Sequence, residues 1–127
     1  MYLDTDIILG LTKKEDWLKK HINFTKIKDP KTSVFTIIEA RLVLEREYSR
    51  EEALDVLSAV RRKGIQLLSF DEKVLTKSQE LLRKYERLNH FDAIHVAFAI
   101  ENNETLLSTD HIFSSIEIVD HKDPRDL

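Results

Sequence analysis

Short apolar runs alternate with longer amphipathic segments along the chain, and this alternation predicts the secondary structure. Five runs rich in apolar and β-branched residues are typical of strands: 1–3, 33–36, 65–68, 105–108 and 116–119. Helical spacing of the apolar residues between them predicts helices over 37–48, 50–63, 72–85 and 90–101. Because helices separate the strands, we expect an α/β fold: a three-layer α/β/α sandwich with a five-stranded parallel sheet.

Two of these helices carry further information. The helix over 50–63 follows Ser49, a favoured N-cap residue, and precedes Gly64, a favoured stop. The helix over 90–101 is apolar on nearly every side, which is typical of a buried helix. Asp92 interrupts that apolar surface, and a charged side chain in such a place is seldom left without a partner.

Length and composition bound the kinds of protein that this can be. The chain has 127 residues, so we expect one domain over 1–127, with its core at about 2–119 and a polar tail at 120–127. Without cysteine there are no disulfides and no thiolate metal sites, and two glycines cannot form a glycine-rich phosphate loop. We find no signal peptide or membrane span, and we expect a cytoplasmic protein.

The charge is slightly negative and unevenly distributed. There are 23 acids and 20 lysines and arginines, for a net charge of −3, which excludes a nucleic-acid binder that works through bulk positive charge. Residues 92–127 carry eight acids and two bases, a net charge of −6. The acidity is therefore concentrated in the last third of the chain.

Four acids lie where an α/β sheet binds its ligands, at the carboxyl ends of strands, or on the buried helix. They are Asp4, Glu39, Asp92 and Asp110. Carboxylates that pack together repel one another and lose hydration unless a cation neutralises them. Magnesium and manganese suit oxygen ligands, and two such ions about 4 Å apart can hold a phosphodiester and activate water. The four acids are therefore predicted to form a metal-dependent phosphodiesterase site.

Each of these acids also has a structural explanation. Asp4 and Asp110 are suitable N-caps for short helices, and Glu39 suits the first turn of a helix on electrostatic grounds. Asp92 is the strongest functional candidate because its helix is otherwise apolar. His95 lies on the same face as Asp92, three residues on, and is predicted to be a structural residue and not a ligand.

Four segments resemble the motifs of PIN-domain ribonucleases. Residues 2–6 (YLDTD) resemble the family's opening strand and acid, and residues 36–40 (TIIEA) its second acidic motif. Residues 91–97 (FDAIHVA) closely resemble its Asp-Ala-hydrophobic helix, and residues 107–113 (LSTDHIF) its last acidic motif. All four occur in order, and the resemblance spans about residues 2–119.

This resemblance implies a PIN-like fold and magnesium- or manganese-dependent cleavage of RNA. Family members of this size are commonly VapC-type toxins, which form homodimers and are inhibited by a small antitoxin protein. The four acids match the family's metal-binding positions. The chain differs from the family pattern at Asp6, where Ser or Asn is common, and at Ile112, where many members carry another acid. One or two ions are therefore expected.

The four acids that match the family, together with the residues around them, lead to an expected mechanism with a role for each residue. The catalytic and metal-binding residues are Asp4, Glu39, Asp92 and Asp110, of which Glu39 serves the second ion or its water. Supporting residues behind them are Thr5, Asp6 and Ser108. Weaker candidates for contact with the RNA backbone are Lys13, Lys14, Arg61 and Arg62. The expected protein is a metal-dependent endoribonuclease that hydrolyses RNA phosphodiester bonds, as the toxin of a toxin–antitoxin pair.

Two other functions are compatible with the sequence. One is a catalytically inactive PIN-like module that binds RNA or a protein, since the acidic last third could receive a basic peptide. The other is an aspartyl-phosphate-type phosphatase, because Asp4-Thr5-Asp6 has the Asp-x-Asp pattern of such enzymes. That chemistry also requires an acidic pair after a late strand, whereas Asp110 has no acidic neighbour.

Overall fold

A single parallel sheet forms the centre of the molecule. The structure, a computed structural model, describes residues 1–13 and 16–127. The strands are β1 (Tyr2–Leu3), β2 (Lys31–Ser33), β3 (Gln66–Leu68), β4 (Leu106–Leu107) and β5 (His121–Lys122). Their order in the sheet is β3-β2-β1-β4-β5, and every neighbouring pair is parallel. The predicted α/β class with a five-stranded parallel sheet is confirmed.

Helices connect the strands and cover the sheet. They are α1 (Thr5–Thr12), α2 (Val34–Glu47), α3 (Arg50–Leu54), α4 (Val56–Arg62), α5 (Glu72–Lys84) and α6 (His90–Glu101). Four short 3-10 turns cover 17–20, 24–26, 111–115 and 124–126. Gly64 ends the α4 region with a φ of 71°, a left-handed conformation that favours glycine. Within the described residues, no helix combines the length and the apolar character that crossing a membrane requires.

Successive residues of the central strands point to opposite faces of the sheet, as the pleat requires. Tyr2 and Leu106 pack into one core together with apolar residues of α5 and α6. Leu3 and Leu107 pack into a second core together with apolar residues of α1 to α4. The sheet is thus covered on both faces, which makes three layers. All four of these side chains are fully buried.

The structure corrects the positions of two strands. The second strand is at 31–33 and not 33–36, because α2 already begins at Val34. The fifth is at 121–122 and not 116–119, so it lies within the segment expected to be a polar tail. Ile116 and Val119 are nevertheless buried in the core. The apolar residues at 116–119 therefore indicated burial and not a strand. An edge strand is held by backbone hydrogen bonds, which residues of any type can make.

The helix predicted over 50–63 is also divided. α3 ends at Leu54 and α4 begins at Val56, with Asp55 between them. Ser49 caps α3 through a side-chain bond to the backbone N–H of Glu52, as the sequence indicates. The division leaves the apolar face of both helices against the sheet, since Ala53 and Val56 are buried.

The strand order defines the position of the candidate site. From β1 the chain proceeds to β2 and β3 on one side, and it returns to β4 and β5 on the other. Ligands of such sheets bind in the crevice at this reversal, at the carboxyl ends of the two central strands. Here that crevice lies between β1 and β4. The backbone N–H of Asp4 donates to the carbonyl of Leu107 over 3.0 Å, which holds the two strand ends together.

Candidate functional site

Three of the four predicted acids come to this crevice. Asp4 follows β1, Asp110 follows β4 by two residues, and Asp92 lies in the first turn of α6. Burial raises the pKa of Asp92, and the negative charges of Asp4 and Asp110 raise it further. The bond from the Asn89 backbone and the neighbouring His95 only partly oppose this effect. The three carboxylates are therefore close enough to interact electrostatically.

All three acids also cap helical turns, as their structural explanation proposes. Asp4 Oδ1 accepts from the backbone N–H of Thr5 over 2.8 Å, and Asp110 Oδ1 accepts from that of Ile112 over 3.0 Å. Asp92 forms a capping box with Asn89. Capping accounts for each acid singly, but not for their meeting in one crevice. Among the described residues, no lysine or arginine forms an ion pair with any of the three.

Glu39 projects from α2 and makes different contacts. Its Oε1 accepts from Thr5 Oγ1 over 3.0 Å and forms a short hydrogen bond with His95 Nε2. His95 Nε2 also lies 3.7 Å from Asp4 Oδ1, so the imidazole stands between the two carboxyl groups. Burial lowers the pKa of His95, but the Glu39 bond and the charge of Asp4 outweigh burial and raise it. His95 therefore offsets part of the negative charge.

Tyr2 completes this network from the centre of the sheet. Its hydroxyl lies 2.7 Å from His95 Nδ1 and 2.7 Å from Ser33 Oγ, and 3.4 Å from Thr36 Oγ1. The side chain is fully buried, and burial raises the pKa of its hydroxyl. Nothing in the local sequence distinguishes this tyrosine from an apolar strand residue. The spacing of His95 from Asp92 places both residues on one face of the helix, but the sequence does not indicate that His95 contacts Tyr2 and Glu39.

The predicted supporting residues make the contacts that such a role requires. Ser108 Oγ donates to Asp4 Oδ2 over 2.8 Å, while Thr5 holds Glu39 as described. Asp6 accepts from the backbone N–H of Thr109 over 2.7 Å and from its hydroxyl. Burial and the charge of Asp4 raise the pKa of Asp6 to about 6. Asp6 thereby ties α1 to the loop after β4, and the supporting role stays a prediction.

Three of the four predicted RNA-contacting bases, Lys13, Arg61 and Arg62, are not brought to this crevice. Lys13 lies beyond the far end of α1 from Asp4, and its Nζ pairs with Glu47 over 2.6 Å. Arg61 and Arg62 end α4, just before β3 begins. They therefore lie at the amino-terminal ends of the strands, whereas the crevice lies at the carboxyl ends. Lys14 lies outside the described residues.

The donor chemistry of the crevice fits a hard divalent cation. Its three carboxylates supply oxygen ligands, and the raised pKa of Asp92 reflects a burial and repulsion that a cation would relieve. In residues 1–13 and 16–127, no group of three or more histidine or acidic side chains is already arranged to hold a metal ion. The residues thus provide suitable ligands without a preassembled cluster.

Comparison with known proteins identifies the family. Residues 1–119 match the PIN domain, and the chain belongs to this family. A comparison with curated proteins gave no match.

Solved structures with the same fold come from toxin–antitoxin systems. A chain of the VapBC2 complex from Rickettsia felis, bound to promoter DNA, has a TM-score of 0.74 at 18% identity, with 96% of each chain covered. VapC20 from Mycobacterium tuberculosis, described as a toxin that cleaves the sarcin–ricin loop, has a TM-score of 0.76 at 17% identity. That match covers 91% of this chain and 93% of VapC20. VapBC-1 from nontypeable Haemophilus influenzae has a TM-score of 0.75 at 15% identity, with coverage of 97% and 96%. These likenesses show the fold.

Proposed function

We propose that this PIN-domain protein is a metal-dependent endoribonuclease that hydrolyses RNA phosphodiester bonds as the toxin of a toxin–antitoxin pair. The observation that carries the proposal is the meeting of Asp4, Asp92 and Asp110 at the reversal of strand order, where burial and then the charges of Asp4 and Asp110 raise the pKa of Asp92. Family membership and the VapC-like fold support it. Among the described residues, no lysine or arginine pairs with these carboxylates, and only His95 offsets part of their charge. Such sites are typical of those that a divalent cation completes.

The proposal assigns the metal to the acids of the crevice. Asp4, Asp92 and Asp110 would hold one magnesium or manganese ion, and Glu39 would serve a second ion or its water. A divalent ion bound there lowers the pKa of a water molecule and stabilises charge on the phosphodiester.

The remaining residues of the site position these acids. Ser108 orients the Asp4 carboxylate, and Thr5 and His95 restrain Glu39 from two sides. Asp6 holds the backbone of Thr109, and so fixes the turn from which Asp110 projects. Since His95 is held in turn by Tyr2, the orientation of Glu39 depends on a buried chain of hydrogen bonds.

The partners follow from the same proposal. The substrate is RNA, a small antitoxin protein would cover the acidic crevice, and the toxin would act in the cytoplasm as a homodimer. The matched solved structures include complexes described as VapBC from three bacteria, which supports an antitoxin partner. A net charge of −6 over residues 92–127 favours a basic segment in that partner.

Cleavage of labelled RNA with magnesium or manganese tests the proposal. Wild-type protein should cleave, and EDTA should abolish cleavage. Asp92→Asn should reduce cleavage at least about 100-fold, because loss of even an outer partner of a metal ligand costs about 10- to 100-fold. Asp71→Asn is the matched control, because Asp71 also follows a strand and caps a helix, α5, through the N–H of Val74. Equal activity of wild type and Asp92→Asn, or activity that survives EDTA, would refute the proposal.

The alternative of an inactive PIN-like module has one observation in its favour. The absence of a preassembled metal cluster among the described residues is what a module without metal would show. Titration calorimetry with manganese separates the two. Binding that Asp92→Asn abolishes favours the nuclease, and no binding at millimolar manganese favours the module.

A further inference from the structure

Four phenylalanines form a continuous cluster beside the crevice. The rings of Phe35 and Phe70 meet edge to face with centroids 5.0 Å apart, and Phe91 lies 6.3 Å from Phe35. Phe98 is fully buried beneath them, 6.2 Å from both Phe35 and Phe70. Phe70 and Phe91 are each 39% exposed, although phenylalanine is usually buried. The cluster thus has a core anchor and an open surface.

The cluster stands at the same edge of the sheet as the acids. Phe35 is in the first turn of α2 directly after β2, and Phe70 lies two residues after β3 ends. Phe91 immediately precedes Asp92 in the first turn of α6. A molecule that reaches Asp92 from the β2–β3 side of the crevice therefore passes over these rings.

The rings of the cluster pack against one another. Edge-to-face and tilted contacts within the cluster fix their relative orientation, and such pairs are favourable beyond the area that they bury. An ordered aromatic surface binds a flat ligand with little loss of side-chain freedom. Phe70 and Phe91 therefore have the properties of a stacking surface.

We propose that Phe70 and Phe91 stack an unpaired nucleobase of single-stranded RNA next to the phosphodiester that lies over Asp92. This inference rests on the proposed ribonuclease function and adds to it how the substrate is held. Bases of single-stranded RNA stack on aromatic side chains with little dependence on sequence, whereas the bases of a duplex are already stacked. The preferred substrate is accordingly an unpaired segment.

The charge of the chain favours this occupant. Its net charge is −3, and removing the four proposed ligands leaves only +1, so bulk attraction for phosphate is weak. The candidate bases Lys13, Arg61 and Arg62 lie away from the crevice. An RNA that binds here needs a contribution that is not ionic, and stacking on exposed rings beside the acids supplies one.

Fluorescence anisotropy with a labelled 12-nucleotide oligouridylate, alone and paired with oligoadenylate, tests the proposal. The titrations are done in EDTA, so that no metal-dependent cleavage alters the probe, and are repeated in calcium, which neutralises the acids of the crevice. Uridines stack weakly on one another, so the bases of the single strand are available to the protein. Phe70→Leu and Phe91→Leu should weaken binding of the single strand about 5- to 100-fold and leave duplex binding unchanged. Phe91→Trp should bind the single strand as tightly as wild type does, because it keeps an aromatic face at this position.

Phe24→Leu is the matched control. Phe24 is a partly buried phenylalanine that packs in the other core, with Lys63 Nζ 5.5 Å from its ring centroid. This variant should bind both probes as wild type does. Thermal unfolding of each leucine variant shows whether it is folded. With an RNA that wild type cleaves, Phe91→Leu should raise KM and leave kcat unchanged.

Three results would overturn the proposal. The first is unchanged single-strand binding by both folded leucine variants, and the second is no single-strand binding by wild type at 100 µM in either EDTA or calcium. The third comes from analytical ultracentrifugation: leucine variants that dissociate a dimer but bind RNA equally well per chain would make this surface a protein interface. None of these results depends on cleavage, so they are separable from failure of the nuclease proposal, which the Asp92→Asn assay detects.

Discussion

Replacing Tyr2 by phenylalanine tests whether its buried hydroxyl holds the centre of the site together. The substitution keeps the ring, which stacks on Phe98 with centroids 5.6 Å apart, and removes only the hydroxyl. Ser33 Oγ and His95 Nδ1 each lie 2.7 Å from that hydroxyl and would lose a hydrogen bond. Both partner side chains are at most 1% exposed, so water cannot readily replace the missing group.

The expected magnitude follows from these two lost bonds. Leaving one buried polar group unsatisfied costs about 1–3 kcal/mol, so the two groups that Tyr2→Phe leaves unsatisfied should lower the free energy of unfolding by about 2–6 kcal/mol. At about 2.1 cal/mol/K per residue, the unfolding entropy of 127 residues is about 270 cal/mol/K. The melting temperature should therefore fall by about 7–22 °C.

Thermal and urea unfolding followed by circular dichroism in EDTA measures this loss. Tyr85→Phe is the matched control: Tyr85 is half-buried, and within the described residues its hydroxyl has no hydrogen bond. It should change the free energy of unfolding by less than about 0.5 kcal/mol. If Tyr2→Phe is as stable as this control, the hydroxyl does not pair with His95 and Ser33. RNA cleavage by Tyr2→Phe should fall less than in Asp92→Asn, because Tyr2 acts only through His95 on Glu39.

Three further predictions concern metal, pH and backbone. Magnesium at 10 mM should raise the melting temperature of wild type but not that of Asp92→Asn, and equal shifts in the two proteins would contradict this. In EDTA, Asp92→Asn should be at least as stable as wild type, because the substitution removes a buried charge that Asp4 and Asp110 repel. The Asp6 carboxyl has its pKa raised to about 6, so the folded state retains its proton longer than the unfolded state. The free energy of unfolding in EDTA should therefore fall as pH rises from about 4 to 6, and urea titrations of Asp6→Asn should lack this contribution. Gly64→Ala should lower the free energy of unfolding in urea by about 1–2 kcal/mol, because alanine is strained at a φ of 71°. No atom lies within 4 Å of the added methyl, so steric clash adds nothing to this cost. An unchanged urea midpoint would refute the prediction.

Much of the fold was predictable because it depends on local patterns. The helix at 90–101 has the predicted bounds, since its apolar composition and its Asn89 cap are both local features. The positions of the second and fifth strands were predicted wrongly, because a strand of two or three residues is too short to show a periodic pattern in the sequence. β5 consists of His121 and Lys122, which have no apolar character at all. Their strand conformation comes from backbone pairing with Leu106 and Leu107.

The candidate site was predictable in part. The positions of Asp4, Asp92 and Asp110 after strands or within a buried helix indicated one crevice, and the strand order brings them there. The tie between Glu39 and His95 was not predictable, because these residues are 56 positions apart on separate helices. The same holds for Tyr2 and for the phenylalanine cluster, whose members look like ordinary apolar residues in the sequence.

Local patterns therefore suffice for the class of fold, for helix caps such as Ser49, and for the choice of candidate acids, because these depend on composition and on spacing within one turn or one strand. Tertiary structure alone decided which groups meet. Ser108 and Asp4 are 104 positions apart and come within 2.8 Å only because β4 pairs with β1. It also decided that Lys13, Arg61 and Arg62 lie away from the crevice and that the rings of Phe70 and Phe91 stay partly exposed. Such contacts depend on the order of strands in the sheet, which no local pattern encodes.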